Sequence, residues 1–243
     1  MEQELFITKE QIDIAEEAGA CSEALSWLRV RPRTWEELNE YDQDWITWAV
    51  RHISLIPEKI LHCIIKFGTY NLLSEIAHNT NTPPKILDIL AKDADYAIRA
   101  AVAYNSSAFT ETLTILSKDE SSYVREWIAL NPSTPIEVLK ILSNDENVHV
   151  RTRVAGNSSA TIDILEHLSK DKSILVREWV ASNTSCSQET FKLLSQSKEV
   201  TIRDSVAYND CTPIEILEEL LHDSDRWVRT RAKQNLEKRG YYE

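Results

Sequence analysis

The feature that most constrains the fold of this chain is a repeat with a period of 26 residues. Asparagine keeps this step at Asn79, Asn105, Asn131, Asn157, Asn183, Asn209 and Asn235. Arginine keeps it at Arg99, Arg125, Arg151, Arg177, Arg203 and Arg229. Aspartate keeps it at Asp93, Asp119, Asp145, Asp171 and Asp223, with Ser197 where one more aspartate is expected. A constant period of this length indicates an array of structural repeats, each of which packs on its neighbours.

The first half of each unit predicts a short helix. In residues 134–157, Thr134 is expected as the N-cap and Pro135 as the first helical residue, with Glu137 completing a capping box. The same device recurs at Thr212, Pro213 and Glu215. Apolar side chains then share one face at helical spacing, namely Val138, Leu139 and Leu142. The polar run 143–147 ends this helix.

The second half predicts another short helix, from about Val148 to Asn157, with Val150, Val154 and Ala155 turned inward. Neither helix could bury its apolar stripe alone, so neighbouring units must stack. The chain has only four glycines, which disfavours phosphate-binding loops and tight hairpins. The sequence therefore predicts an all-α solenoid of seven two-helix repeats, the first of them degenerate, over residues 54–237.

The repeat VRxxVAxNxxTPxEVLxxLSxD closely resembles the bacterial leucine-rich repeat variant family, and its DxxxxVR segment resembles the loop of HEAT repeats. This resemblance implies a right-handed superhelix of short helices, some of which can be 3₁₀. The founding pattern of the family also has a cysteine cluster for an iron–sulfur centre ahead of the repeats. Because only Cys21 and Cys63 occupy that part of this chain, the cofactor does not carry over. With no CxxC or HExxH motif either, we expect no cofactor and no metal site.

Residues 1–53 do not follow the repeat and hold four of the seven tryptophans: Trp27, Trp35, Trp45 and Trp48. They predict two helices that cover the exposed end of the stack as a cap, although a separate ligand site is an alternative. Residues 238–243 are predicted to be a C-terminal tail.

Charge and hydropathy narrow the functional classes. The net charge of −12 argues against a general nucleic-acid or anionic-membrane surface, because both need an excess of lysine and arginine. No apolar run approaches the roughly 20 residues that cross a bilayer, and the acidic N-terminus lacks a signal-peptide pattern. These features predict a cytoplasmic protein.

The invariant polar columns are interpreted as structural. Asparagine tolerates the left-handed conformation at a helix C-terminus, and its amide can satisfy backbone groups in the following turn; a row of ligand-reading amides is the alternative. The aspartate and arginine columns are expected to bridge consecutive layers as a polar ladder, as the HEAT resemblance implies.

Positions that vary between repeats are more informative about function, because stacking does not dictate them. The residues two and five places after each ladder arginine should point away from the core at i, i+3 spacing. The predicted partner-binding residues on this face are Tyr104, Trp127, Leu130, Arg153, Trp179, Tyr208 and Arg231. Tryptophan, tyrosine and arginine are enriched at binding hot spots, but packing of the tryptophans over neighbouring helices would explain the same pattern.

These features predict a monomeric, non-catalytic scaffold that binds a protein or peptide, with Glu126, Glu178 and Arg153 adding polarity. No nucleophile, base and orienting group can be placed together, so no catalytic residue is assigned. The alternative is a nucleic-acid enzyme similar to HEAT-like alkylpurine DNA glycosylases, for which Asp204 is the candidate acid. Charge and repeat length argue against it, and nucleic acid is not the expected partner.

Overall fold

The computed structural model describes residues 69–241 continuously and, before them, isolated helical positions 9, 12, 13, 16, 61, 62 and 65. The predicted cap over residues 1–53 therefore lies outside the described residues apart from four single positions. In the continuous range the regular structure is entirely α-helical. Its helices are α1 (Tyr70–His78), α2 (Pro84–Leu90), α3 (Tyr96–Tyr104), α4 (Thr110–Leu116), α5 (Ser122–Leu130), α6 (Ile136–Leu142), α7 (Val148–Gly156), α8 (Ile162–Leu168), α9 (Ile174–Ser182), α10 (Gln188–Ser195), α11 (Val200–Tyr208), α12 (Ile214–Leu220) and α13 (Arg226–Lys238).

The chain forms two compact units, residues 1–116 and 117–243. In the first unit α3 contacts α1, α2 and α4. In the second unit the odd-numbered helices contact one another in chain order, from α5 to α13, and each even-numbered helix contacts the odd-numbered helices beside it. Repeated helix pairs that pack mainly on their neighbours form an α-solenoid, as predicted. Handedness and the total of seven repeats stay predictions.

The predicted core positions are confirmed. On α7, Val150, Val154 and Ala155 are fully buried, and the apolar face of α6 is closed to solvent as well. Helices of seven to nine residues are too short to be stable alone in water, so this burial between neighbours supplies most of their stability. No helix in the described range is both long and apolar enough to span a bilayer.

The predicted capping box at the start of α6 is wrong. Helix α6 begins at Ile136 with Pro135 as its N-cap, and no side chain caps it. The Thr134 hydroxyl instead donates a 2.6 Å hydrogen bond back to the carbonyl of Ile128 in α5. Thr212 makes the equivalent bond six residues back, to Val206. The buried threonine thus satisfies a carbonyl in the last turn of one helix rather than an amide in the first turn of the next.

The asparagine column joins consecutive repeats. The Nδ2 of Asn157 donates to the carbonyls of Ala129 and Asn131, at 2.7 and 3.2 Å, in the preceding repeat. Its Oδ1 accepts the backbone N–H of Ser159 at 2.8 Å, as the sequence predicted for the following turn. The same three bonds recur at Asn105, Asn183 and Asn209.

The conformation expected for these asparagines is wrong, because Asn157 has φ −73° and ψ 129°. The other asparagines that cap a helix C-terminus are extended in the same way, and no residue other than glycine has positive φ in the described part of the chain. The side-chain bonds to the preceding repeat, rather than a left-handed backbone, therefore account for asparagine at this position.

The ladder of arginine and aspartate is confirmed. Arg151 donates Nη1 to the carbonyl of Asp145 at 2.7 Å, and it donates Nε and Nη2 to the carboxylate of Asp171 in the next repeat at 2.7 and 3.1 Å. Arg125–Asp145 and Arg203–Asp223 are two further bidentate pairs. Burial opposes ionisation of Asp171, but hydrogen bonds from Arg151 and from the Ser173 amide outweigh it and hold its pKa below 3.8.

Where the aspartate is replaced by Ser197, another acid takes its place. Nη2 of Arg177 lies 3.4 Å from the carboxylate of Glu199, two residues further along the chain. The arginine therefore keeps a carboxylate partner across this layer as well.

Candidate functional site

The positions two and five after each ladder arginine meet diagonally between neighbouring repeats of the second unit. The Trp179 ring on α9 lies over Gly156 on α7, where a Cβ would come within 2.6 Å of its Cε3. The Arg231 guanidinium on α13 lies 4.9 Å from the ring centroid of Tyr208 on α11. In both pairs the later residue is 23 positions after the earlier one (179 − 156 and 231 − 208). A residue at the first position therefore leans over the second position of the preceding repeat.

Neither tryptophan of the predicted face is fully buried. Trp179 is 42% exposed although it rests on Gly156. Trp127 is half-buried and meets Tyr123, one turn earlier on α5, edge to face at a centroid distance of 6.0 Å. Packing over a neighbouring helix is thus seen for Trp179, whereas Trp127 packs within its own helix, and partner binding by the two indoles stays a prediction.

The other predicted partner-binding residues are exposed. Leu130 ends α5, Arg153 lies on α7, and Tyr208 is the most open of the predicted aromatics, at 67%. Tyr104 is exposed on α3, which belongs to the first unit. Ala101, the remaining first-position residue of α3, is buried, because the small side chain belongs to the core of that unit.

A groove of about 340 Å³ opens on this face toward the C-terminal end of the second unit. Its lining residues are Ser182, Thr184, Ser205, Tyr208, Asn209, Asp210, Arg231, Gln234, Asn235 and Lys238. Five of them are the face positions of the last three repeats: Ser182, Ser205, Tyr208, Arg231 and Gln234. Trp127, Leu130, Arg153 and Trp179 are not among its lining residues.

Charges in the groove are largely balanced. Lys238 donates to both carboxylate oxygens of Asp210, at 2.8 and 2.6 Å, across one repeat. Nε of Arg231 is 3.8 Å from Asp204, which is beyond hydrogen-bond range. The guanidinium edge of Arg231 thus stays available while its face stacks on Tyr208, an arrangement that suits a polar ligand with accessible acceptors.

The sequence did not identify Thr184, Asp210 and Lys238 as groove residues. Thr184 and Asp210 directly follow an asparagine of the invariant column, and the Lys238–Asp210 pair has the same separation of 28 residues as the asparagine bonds. The position after each asparagine could therefore have been added to the face from the period alone. Helix α13 includes Lys238, which the sequence had placed in the tail.

Of the two cysteines in this region, Cys186 has a structural role. Cys186 and Cys211 are both free thiols. The Cys186 thiol donates to the Val180 carbonyl at 3.1 Å, in the place that Thr134 and Thr212 hold in their repeats, and burial raises its pKa to about 12. No cluster of histidine, cysteine, aspartate and glutamate suited to a metal ion occurs among the described residues.

The fold has a counterpart among solved structures. A protein described as "a leucine-rich repeat variant with a novel repetitive protein structural motif" superposes with a TM-score of 0.61 and 23% sequence identity, over 90% of each chain. This chain has the leucine-rich repeat variant fold. The sequence matches no protein-family model and no curated protein.

Two engineered proteins of known structure are also similar. The first has a TM-score of 0.38 and 16% identity, and covers 79% of this chain and 70% of its own. The second has a TM-score of 0.30 and 15% identity, over 97% and 99% of the two chains. The superposition on the leucine-rich repeat variant structure, not these two, confirms the resemblance seen in the repeat sequence, and that likeness concerns the fold alone.

Proposed function

We propose that this protein is a non-catalytic scaffold that binds a protein or peptide through the face formed by its second helices. The observation that carries the proposal is the groove of the second unit, half of whose lining residues are variable face positions, among them the exposed Tyr208. Solenoids commonly bind partners on an extended surface of this kind.

The aromatic residues on this face are not needed to hold the repeats together. Tyr208 occupies the same repeat position as Gly156 and Ser182, so stacking there tolerates a small side chain. Large aromatic and arginine side chains in accessible positions are typical of residues that contribute most to binding free energy. The Arg231–Tyr208 pair is also ordered before any ligand arrives, which lowers the entropic cost of binding.

The mixed polarity of the groove favours a polypeptide over a nucleic acid. The Lys238–Asp210 pair leaves Arg231 as the cation with the weakest neutralisation in the groove lining, and Asp204 lies beside it. A polypeptide offers both carbonyl acceptors and apolar side chains to such a surface, whereas a phosphate backbone needs several unpaired cations. The glycosylase-like alternative has no observation in its favour, and we propose no reaction. A cytoplasmic, monomeric protein is part of the same proposal.

A random-peptide display selection on the purified chain tests this proposal. Peptides that it enriches are synthesised, and their dissociation constants are measured against Tyr208→Ala and Trp179→Ala. Because truncation of a hot-spot residue costs about 2 kcal/mol or more, each substitution should weaken binding by roughly 30-fold. Helicity measured by circular dichroism should not change, because both side chains are exposed.

Ile141→Ala is the matched control. Ile141 is 54% exposed on α6, a first helix that carries none of the predicted face positions, so its truncation should leave peptide affinity unchanged. Equal affinities for wild type and both face variants, or a loss only with Ile141→Ala, would place binding elsewhere and contradict the proposal.

A further inference from the structure

The ladder arginines have two functional edges. In Arg125, Arg151 and Arg203, Nη1 is held by backbone carbonyls of the preceding loop, and Nε and Nη2 bind the carboxylate of an aspartate in the next repeat. The carbonyl bonds orient the guanidinium plane, so its second edge always faces the following layer. These three arginines thus show both the orientation of the guanidinium and the group that its Nε and Nη2 bind, which is a carboxylate.

Arg229 is held in the same way, but its Nε and Nη2 have no acceptor among the described residues. Its Nη1 donates to the carbonyls of Asp223 and Ser224 at 2.7 and 3.0 Å, as the other ladder arginines do with their own loops. No carboxylate or carbonyl among the described residues reaches its Nε or Nη2. The Arg229 guanidinium is therefore already oriented to bind a carboxylate, and the described part of the chain does not supply one.

The surface around Arg229 is basic, unlike the rest of this acidic chain. Arg226, Arg229 and Lys233 share one face of α13 at i, i+3, i+7 spacing. One repeat earlier, the positions of Arg226 and Lys233 hold Val200 and Ala207. Three nearby acids reduce this charge: Glu237 pairs with Lys233 at 3.6 Å, Asp225 caps the start of the helix, and Asp223 pairs with Arg203 but is close enough for the charge of Arg229 to help lower its pKa.

We propose that this face of α13 binds an acidic polypeptide segment, whose aspartate carboxylate pairs with Nε and Nη2 of Arg229. Arg226 adds long-range attraction. The internal pairs favour a carboxylate in a turn, because each aspartate of the ladder also accepts the N–H two residues further on, as Asp145 does from Asn147 at 2.8 Å. This site is separate from the groove of the proposed function and does not depend on it.

The probe is a synthetic peptide that copies a ladder turn of this chain, residues 142–149, with acetylated and amidated ends. Binding is followed by NMR on the full chain with ¹⁵N-labelled arginine, through the Nε–H signal of Arg229. We expect saturable binding that weakens with salt, and about tenfold weaker binding of a peptide carrying Asp145→Asn, because a charge-assisted bidentate pair is lost. Arg229→Gln in the chain should have the same effect as the change in the peptide, and Arg229→Lys should restore charge but not the discrimination between the two peptides.

Control experiments distinguish the bidentate pair at Arg229 from non-specific electrostatic attraction and from loss of the folded state. Lys192→Gln removes one positive charge from the exposed side of α10 and should leave affinity unchanged. If Arg229→Gln fails to fold, the comparison of the two peptides on the wild-type chain still decides the matter. Equal affinity for both peptides, or binding that does not shift the Arg229 signal, overturns the proposal. So would tighter binding of a (dT)₁₂ oligonucleotide than of the peptide, or self-association in sedimentation equilibrium that Arg229→Gln abolishes.

Discussion

Replacing Asn157 by alanine tests the bonds that join consecutive repeats. The substitution removes three hydrogen bonds from a residue that is 3% exposed. The carbonyl of Ala129 depends on this amide, because it belongs to the last turn of α5, where helical donors run out. Asn131 loses less, because its carbonyl also accepts from the Thr134 amide at 3.1 Å. The Ser159 amide is half-buried, so water can replace part of its bond.

These contributions give the expected magnitude. An unsatisfied buried carbonyl costs about 1 to 3 kcal/mol, and each of the two weaker losses about 0.5 to 1 kcal/mol. We therefore expect Asn157→Ala to lower the free energy of unfolding by about 3 kcal/mol. The measurement is urea denaturation followed by circular dichroism, together with hydrogen exchange at the Ser159 amide, which should lose protection.

Two further variants make this test specific. Asn144→Ala, in an exposed loop where Nδ2 makes two long bonds, of 3.2 Å each, to the Lys140 carbonyl and the Ser143 hydroxyl, should change stability by less than about 0.5 kcal/mol. Asn157→Asp keeps the acceptor for Ser159 but sets a carboxylate against the Ala129 carbonyl, so it should destabilise more than alanine does. The reasoning fails if Asn157→Ala costs no more than Asn144→Ala, or if aspartate is the milder of the two changes.

Three other predictions follow from individual contacts. Arg151 holds the folded-state pKa of Asp171 below its unfolded value, so the ionised Asp171 stabilises the fold above about pH 4, and this stabilisation is lost as pH falls through the folded-state pKa. In urea titrations, the destabilisation by Asp171→Asn should therefore be smaller at pH 3 than at pH 7. An equal destabilisation at both pH values would contradict this. Gly156→Ala should displace the Trp179 indole and red-shift its emission, measured as the difference between chains with and without Trp179→Phe, while an unchanged difference spectrum would mean that the ring does not rest there. Cys186→Thr should raise the free energy of unfolding by up to about 1 kcal/mol, and the urea midpoint with it, because the hydroxyl is a stronger donor to Val180 than the thiol; a lower midpoint would show that the site is fitted to sulfur.

Much of the fold follows from the sequence because it depends on identities that recur. The period fixed which residues are equivalent, and helical spacing within one unit then gave the buried faces, such as Val150, Val154 and Ala155. The ladder was predictable for the same reason, since arginine and aspartate have few other uses at such regular positions. The errors arose where one residue type has two local uses: Thr134 can cap the helix that follows or bond to the helix before, and only the path of the loop decides between them.

The candidate site was less predictable than the fold. Ala101, two residues after Arg99, is buried, whereas Tyr104, Trp179 and Tyr208 are exposed; the contacts of the face positions depend on how far one helix is displaced along the next. That displacement brings Trp179 over Gly156 and Arg231 over Tyr208. It cannot be predicted from the helical spacing of residues within a single repeat. Asp210 and Lys238 escaped notice because they lie in a loop and a helix end that the face pattern does not cover.

The asparagine bonds also restrict how such a chain can change in evolution. Asn183 reaches back to Ala155 and Asn157, and Asn209 reaches back to Ala181 and Asn183, always by 28 and 26 residues. A deletion of one residue from a loop would misalign the amide with both carbonyls, whereas gain or loss of a whole unit recreates the asparagine bonds at the new junction. Length should therefore vary among related chains in steps of one complete repeat.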